Sequence, residues 1–137
     1  MTKVEQAQKN FRNGYNCCQS VFAAFCQDLG IDLETGLKLT SAFGGGMGGL
    51  GQVCGTVTAM FMIAGLKYGY TDSQDKMLKM KYYKQIQNLA KDFSDKFGSI
   101  LCKELLKTNA LVKTDPGVRP CERFVLYAAE MIENFTK

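Results

Sequence analysis

The chain has 137 residues, 46% of them apolar and 22% charged, which suits one globular domain over residues 1–137 with its own hydrophobic core. A formal net charge of +4 is modest, so we expect no nucleic-acid partner. The chain contains no histidine, which excludes Ser–His and Cys–His catalytic couples as well as Cys/His zinc fingers.

Helical periodicity recurs along the chain, and no useful length of it alternates with the two-residue period of a strand. The sequence therefore predicts an all-α fold, a compact helical bundle of about six to seven helices with a glycine-rich loop. In chain order, the predicted helices cover residues 3–12, 17–29, 33–43, 53–68, 73–97, 99–106 and 120–135. A second loop is predicted over residues 107–119, where Asp115-Pro116-Gly117 is the turn signal.

The glycine-rich stretch 44–55 reads G-G-G-M-G-G-L-G-Q-V-C-G, and its residues 46–51 fit the pattern G-x-G-x-x-G. A dinucleotide fingerprint needs a strand before it, whereas here a predicted helix ends at Phe43. No Gly-Lys-Ser/Thr follows, so the stretch is not a P-loop. We therefore expect a loop whose glycines allow tight turns and bring Cys54 close to other cysteines.

The compartment decides how the six cysteines are interpreted. The first residues, MTKVEQAQKNF, contain no apolar segment typical of a secretory signal. The longest apolar run covers about 14 residues from Val53 to Leu66, which is too short to span a bilayer. We therefore expect a cytoplasmic protein without a membrane span, in which cysteines are redox-active, metal-bound or buried rather than held in permanent disulfides.

Capping signals place several cysteines near helix starts. Residues 16–19, Asn-Cys-Cys-Gln, form a predicted capping box with Cys17 at the first helical position. Ser99 as N-cap would place Cys102 at the third helical position. Pro120 as first helical residue would place Cys121 at the second.

With Cys54 after the glycine loop, four cysteines share a predicted place in the first turn of a helix: Cys17, Cys54, Cys102 and Cys121. The unpaired N–H groups and partial positive charge of a helix start favour thiolate over thiol, so lowered pKa values are expected at these positions. Cys26 lies on an apolar helix face and is predicted to be a core residue. The position of Cys18 leaves its role open.

These segments together resemble a known family. The sequence has Asn16-Cys17, F-G-G-G-M-G at 43–48, C-G-T-V-T-A at 54–59, a lone Cys102 and Pro120-Cys121, an order similar to that of the C_GCAxxG_C_C family. The resemblance runs from Phe11 to the last helix. It implies a redox-active protein whose characteristic cysteines are Cys17, Cys54, Cys102 and Cys121. The sequence departs from the family pattern C-G-A-x-x-G at Thr56 and Ala59.

The residues leave three functions open. In the first, a thiolate of the cluster attacks an oxidised partner and a second cysteine resolves the mixed disulfide, which would make the protein an oxidoreductase with an unidentified redox partner. In the second, the same four cysteines bind an iron–sulfur cluster or a metal ion such as zinc. In the third, the cysteines are incidental to a helical interaction protein, because the apolar fourth helix and seven methionines suit a homodimer interface as well as a core.

Overall fold

A computed structural model describes residues 1–110 and 112–137, and within them the protein is all-α, as predicted. Its seven α-helices are α1 (Lys3–Arg12), α2 (Cys17–Phe25), α3 (Leu33–Thr40), α4 (Gly55–Tyr68), α5 (Lys76–Phe97), α6 (Cys102–Asn109) and α7 (Glu122–Phe135). Two 3-10 helices, Cys26–Leu29 and Ser41–Phe43, continue α2 and α3. Leu111, within the predicted second loop, lies outside the described residues.

The predicted helix ends differ from the observed ends for local reasons. α4 begins at Gly55 rather than at residue 53, because Val53 pairs with Leu101 in an isolated antiparallel bridge. α6 continues to Asn109, so the predicted second loop begins too early. α7 begins at Glu122, two residues after the predicted start.

The core is built from four helices, in which α2 packs against α1 and α4, and α7 packs against the same two helices. α4 is apolar around most of its circumference, which is typical of a helix buried on all sides. The largest fully buried side chains of the core include Phe22, Met60, Ile63, Phe93, Phe124 and Ile132. This central packing holds the starts of α2, α4 and α7 in fixed relation to one another.

α5 is only partly buried. Its residues Leu89 and Phe93 are buried, but Met77 and Met80 are 84% and 72% exposed. The sequence predicts all of them on one apolar stripe of this helix, and the two methionines are exposed because the first turns of α5 contribute nothing to the core. No helix in the described part of the chain is both long and apolar enough to cross a membrane.

Polar contacts join α1 to the start of α7 and to the segment before it. Arg12 makes a two-pronged ion pair with Glu122, with Nε–Oε1 at 2.6 Å and Nη2–Oε2 at 3.1 Å. The hydrogen bond from Arg12 lowers the pKa of Glu122. Arg119 stacks 3.6 Å from the centre of the Phe11 ring and donates hydrogen bonds to the carbonyls of Phe11 and Tyr15. These contacts hold Cys121 beside the start of α2.

Candidate functional site

The four predicted site cysteines line one cavity of about 310 Å³. They come from four separate segments of the chain: Cys17, Cys54, Cys102 and Cys121. The remaining walls are mainly apolar and include Phe11, Leu105, Leu106, Pro120 and Phe124. The structure thus brings together the cysteines that the sequence singles out, while their chemical roles remain a prediction.

Each of these cysteines lies at the start of a helix, but not always at the predicted position. Cys17 is the first residue of α2, and the predicted capping box is present, with Asn16 Oδ1 accepting from the Gln19 N–H at 2.8 Å. Cys102 is the first residue of α6 rather than the third. Cys54 and Cys121 are the N-cap residues of α4 and α7.

The shift at Cys102 has a clear cause. Ser99 does not cap α6; its hydroxyl accepts from the Leu101 N–H at 3.0 Å and donates to Glu104 at 2.6 Å. Leu101 is the N-cap residue, because its backbone is held in the bridge to Val53. The helix therefore starts two residues later than the capping signal indicates.

Cys17 is the one thiol of the cluster with a lowered pKa. A hydrogen bond from the Cys54 side chain is the largest cause. Backbone N–H groups of Gly45, Gly55 and Cys18 also stabilise the thiolate, and together these donors outweigh the opposing effect of burial. They lower the pKa of Cys17 to about 6, so the sulfur is mainly a thiolate at neutral pH.

The glycine loop supplies one of these donors through an unusual backbone path. Residues 45–49 all have positive φ angles between 60° and 81°, and Met47 is the non-glycine among them. Hydrogen bonds from Gly51 N to Gly45 O (3.0 Å) and from Gln52 N to Gly46 O (2.9 Å) close the turn. The loop is therefore a hydrogen-bonded turn of left-handed backbone. It carries Cys54, and its Gly45 N–H donates to the Cys17 sulfur.

Two glycines allow close approach at the site. A Cβ atom at Gly55 would lie 2.5 Å from Cys17 Sγ and 2.7 Å from the Phe43 carbonyl oxygen. At Gly46 it would lie 2.6 Å from Cys102 Cβ. No real Cβ atom tolerates such distances, so both positions require glycine. At Gly55 the reason is steric alone, whereas at Gly46 the positive φ angle also favours glycine.

The expectation of lowered pKa values is wrong for the other three cysteines. The hydrogen bond to Cys17 and burial raise the pKa of Cys54, and burial with the nearby Cys17 charge raises that of Cys102. Burial also raises the pKa of Cys121 to about 11, although Arg119 and Arg123 oppose the change.

Backbone hydrogen bonds join the two segments that carry Cys54 and Cys102. The N–H of Cys54 donates to the Ile100 carbonyl at 2.7 Å, and the N–H of Cys102 donates to the Gln52 carbonyl at 2.6 Å. At Cys54 a helix-start donor, the Thr56 N–H, still lowers the pKa of the thiol, but the hydrogen bond given to Cys17 and burial outweigh it. The site combines one thiolate with three neutral thiols.

The remaining two cysteines belong to the core. Cys26 is fully buried, as predicted, and burial raises its pKa. Cys18, whose role the sequence leaves open, is also fully buried, and burial raises its pKa. Neither lines the cavity.

Thr56 is a site residue that the sequence reasoning misses. Its hydroxyl lies 3.1 Å from Cys54 Sγ, and both groups are buried. Its contribution lowers the pKa of Cys54, against the larger effects that raise it. The signal was present in the sequence, because Thr56 is one of the two departures from the family pattern.

The pH dependence of Cys17 alkylation tests this geometry. Because its folded-state pKa lies below that of an ordinary thiol, we expect the thiolate to be present above about pH 6 and to be lost as the pH falls through that value. The rate of Cys17 alkylation by iodoacetamide, measured on the Cys17 peptide as a function of pH, should therefore have its midpoint near this pH. In the urea-unfolded chain the midpoint should move to about 8.5, the value of a free cysteine. An unchanged midpoint on unfolding would contradict the assigned donors.

A metal site receives no support from the arrangement of the ligands. Within residues 1–110 and 112–137, no three or more Cys, Asp or Glu side chains are grouped closely enough to hold a metal ion. All six cysteines are free thiols in the structure. The four cavity cysteines surround a space instead of converging on one point.

Comparison with known proteins agrees with the cysteine pattern. No curated protein and no solved structure matches the chain. A family model described as "Putative redox-active protein (C_GCAxxG_C_C)" matches residues 15–135. This match includes all four cavity cysteines and the glycine loop that carries Cys54. The chain therefore belongs to the C_GCAxxG_C_C family.

Proposed function

We propose that the protein is a thiol–disulfide oxidoreductase in which Cys17 is the nucleophile and Cys54 the resolving cysteine. The observation that carries this proposal is the environment of Cys17, whose sulfur lines an open cavity and receives hydrogen bonds from Cys54 and three backbone N–H groups. A thiolate is the attacking species in disulfide exchange, and exchange is fastest when the pKa of the attacking thiol lies near the ambient pH.

The reaction takes two exchange steps. The Cys17 thiolate attacks one sulfur of a substrate disulfide, forms a mixed disulfide and releases the other half as a thiolate. Cys54 then loses its proton to solvent, and its thiolate attacks the Cys17 sulfur. The products are a Cys17–Cys54 disulfide and the second substrate thiolate, so the substrate gains the two electrons that the protein thiols lose.

The coupling between the two cysteines orders these steps. While Cys17 is charged, the hydrogen bond that Cys54 donates to it is the largest cause of the raised Cys54 pKa. Formation of the mixed disulfide removes that charge, and the pKa of Cys54 then falls. The Thr56 hydroxyl, 3.1 Å from Cys54 Sγ, is placed to stabilise the new thiolate. The first exchange step therefore activates Cys54 for the second step.

Cys102 and Cys121 line the same cavity and are partly exposed. We assign them to a later exchange, in which one of them attacks the Cys17–Cys54 disulfide and oxidation passes to the second pair. Arg119 and Arg123 partly oppose the rise that burial causes in the pKa of Cys121, and we therefore assign the attack to Cys121 rather than to Cys102.

The two other functions lack a comparable observation. An iron–sulfur or zinc site requires convergent ligands, and among the described residues no such group is present. A helical interaction protein with incidental cysteines has no need of a hydrogen-bonded thiolate in a cavity. Thiol exchange accounts for both the thiolate and its neutral neighbour.

Disulfide mapping tests the proposed pairing. After oxidation with one equivalent of diamide, we expect mass spectrometry to find a Cys17–Cys54 disulfide as the first product. The C102S/C121S variant should form it at a similar rate, because those thiols act later. The C17S variant should form no early disulfide, since the remaining cavity thiols have raised pKa values.

Two results would overturn the proposed function. In one, all four cavity cysteines stay reduced. In the other, oxidation proceeds equally fast in C17S and the unmodified protein.

A further inference from the structure

We propose that the cavity takes a small disulfide with an apolar, aromatic body and an anionic group, the anion pairing with Arg119. This inference rests on the thiol–disulfide function proposed above and adds the chemical class of the substrate. Three properties of the cavity support it, namely its size, its walls and an arginine that takes part in none of the four ion pairs of the described residues.

The size of the cavity selects a small molecule. Its volume of about 310 Å³ lies at the lower end of the range for small-molecule sites, about 300–1,000 Å³. Cys17 is partly buried, and its sulfur lies against Gly55 at the wall of the cavity. In disulfide exchange the attacking thiolate needs direct access to a substrate sulfur. A disulfide within a folded protein cannot enter a space of this size.

The walls favour an aromatic body. Phe11, Leu105 and Phe124 are nearly fully buried and present apolar surface to the cavity. Leu106 also lines it, yet is 50% exposed, which is unusual for a leucine beside an apolar space. An apolar ligand in the cavity would cover this exposed surface and gain binding energy from its removal from water.

The charge favours an anion. Arg119 lines the cavity, and both of its protein hydrogen bonds are made by Nη2 to the neutral carbonyls of Phe11 and Tyr15. None of the four ion pairs within the described residues involves Arg119. Stacking on the Phe11 ring fixes the plane of the guanidinium. An oriented guanidinium that keeps its net charge is a suitable partner for a carboxylate.

The reaction in the cavity is the half-reaction given above with this substrate. Cys17 forms a bond to one aryl sulfur as the S–S bond breaks, and the first aryl thiolate leaves. Cys54 then displaces the second aryl thiolate and gives up its proton to solvent. One disulfide is reduced to two thiolates, and two protein thiols become one disulfide, so a single turnover needs no other reductant.

Matched disulfides test the inference in single-turnover kinetics. The probes are dithiobis(nitrobenzoate), which is aromatic and anionic, and dithiodipyridine, which is aromatic and neutral. A third carries the same nitrobenzoate thiol as a mixed disulfide on a folded carrier protein. Each rate for the C102S/C121S protein is divided by the rate of the same probe with mercaptoethanol, which removes leaving-group differences. We expect the small anionic probe to be favoured over each of the others by about tenfold, as for one charge-assisted hydrogen bond.

Variants separate the charge of Arg119 from its structural role. Arg119→Gln should abolish most of the preference for the anionic probe and leave the rate with dithiodipyridine within about twofold, while Arg119→Lys should retain much of the preference because it keeps the charge. Arg123→Gln is the matched control, since Arg123 does not line this cavity. Leu106→Glu adds a negative charge to the cavity without altering Arg119, and it should also disfavour the anionic probe.

The outcomes are distinguishable. If Cys17 reacts with all probes but without preference, and both Arg119→Gln and Leu106→Glu leave the relative rates unchanged, the inference fails and the proposed function stands. If the protein-borne disulfide reacts as fast as the free anionic probe, the selection for small substrates is wrong. If Cys17 reacts no faster than mercaptoethanol with any probe at neutral pH, the proposed function fails together with the inference.

Discussion

Replacing Cys54 with alanine is expected to raise the pKa of Cys17 and to slow its alkylation at about pH 5, below that pKa, by about tenfold for each unit by which the pKa rises. The physical reason is that the Cys54 side chain provides the largest of the effects that lower the Cys17 pKa. The measurement is the pH profile of Cys17 alkylation, read from the Cys17 peptide by mass spectrometry.

Cys54→Ser is the matched control for this change. Serine keeps a hydroxyl donor at the same position, so the Cys17 thiolate should survive with a pKa closer to that of the unmodified protein. Serine cannot resolve a mixed disulfide, however, and the C54S protein should accumulate the Cys17 adduct with a substrate disulfide. Equal Cys17 profiles in C54A and the unmodified protein would show that the backbone donors alone sustain the thiolate.

Replacing Gly55 with alanine is expected to destabilise the protein by about 1–3 kcal/mol, the usual cost of an extra methyl group in a packed site. It should also impair the thiolate. The new Cβ would lie 2.5 Å from Cys17 Sγ and 3.0 Å from the Cys18 backbone nitrogen, so the sulfur must move away from its donors. We expect a lower midpoint in urea unfolding and a higher pKa for Cys17.

Gly36→Ala separates the loss of stability from the loss of reactivity. Its Cβ would lie 2.7 Å from the sulfur of Cys26, a buried cysteine outside the cavity. Both glycines are helical and face a cysteine sulfur, although the Cβ at Gly55 also meets the Phe43 carbonyl oxygen at 2.7 Å, so the strain at Gly36 is the milder of the two. Gly36→Ala should therefore reduce stability and leave the Cys17 pH profile unchanged. If both variants change the Cys17 pH profile equally, the effect of Gly55→Ala on Cys17 comes from the loss of stability and not from the contact with its sulfur.

The helices and the set of cavity cysteines could be predicted because their signals are local. The capping box at Asn16 and Gln19 depends on residues three positions apart, and it is found as predicted. The start of α6 could not be predicted from Ser99, because a bridge to Val53, nearly fifty residues away, sets it instead. Local signals fail where a distant segment competes for the same backbone groups.

The electrostatics of the site depend on the same kind of distant contact. A helix start should favour thiolate at Cys54 and Cys102 alike, but the hydrogen bond to Cys17 and burial raise the pKa of Cys54, and burial raises that of Cys102. Cys17 retains its donors because the glycine loop turns back onto it. That path requires five successive residues with positive φ angles, which glycine content permits but does not specify.

The contacts between Arg12 and Glu122, and between Arg119 and the carbonyls of Phe11 and Tyr15, also set an order for synthesis. Residues 11–17 leave the ribosome about a hundred residues before their partners do. The segment that carries Cys54 is likewise held by Ile100, which emerges late. Until then Cys17 has the chemistry of an ordinary cysteine, mostly protonated at neutral pH. The low pKa of Cys17 is therefore a property of the folded chain, in which Cys54 and the glycine loop are in place beside it.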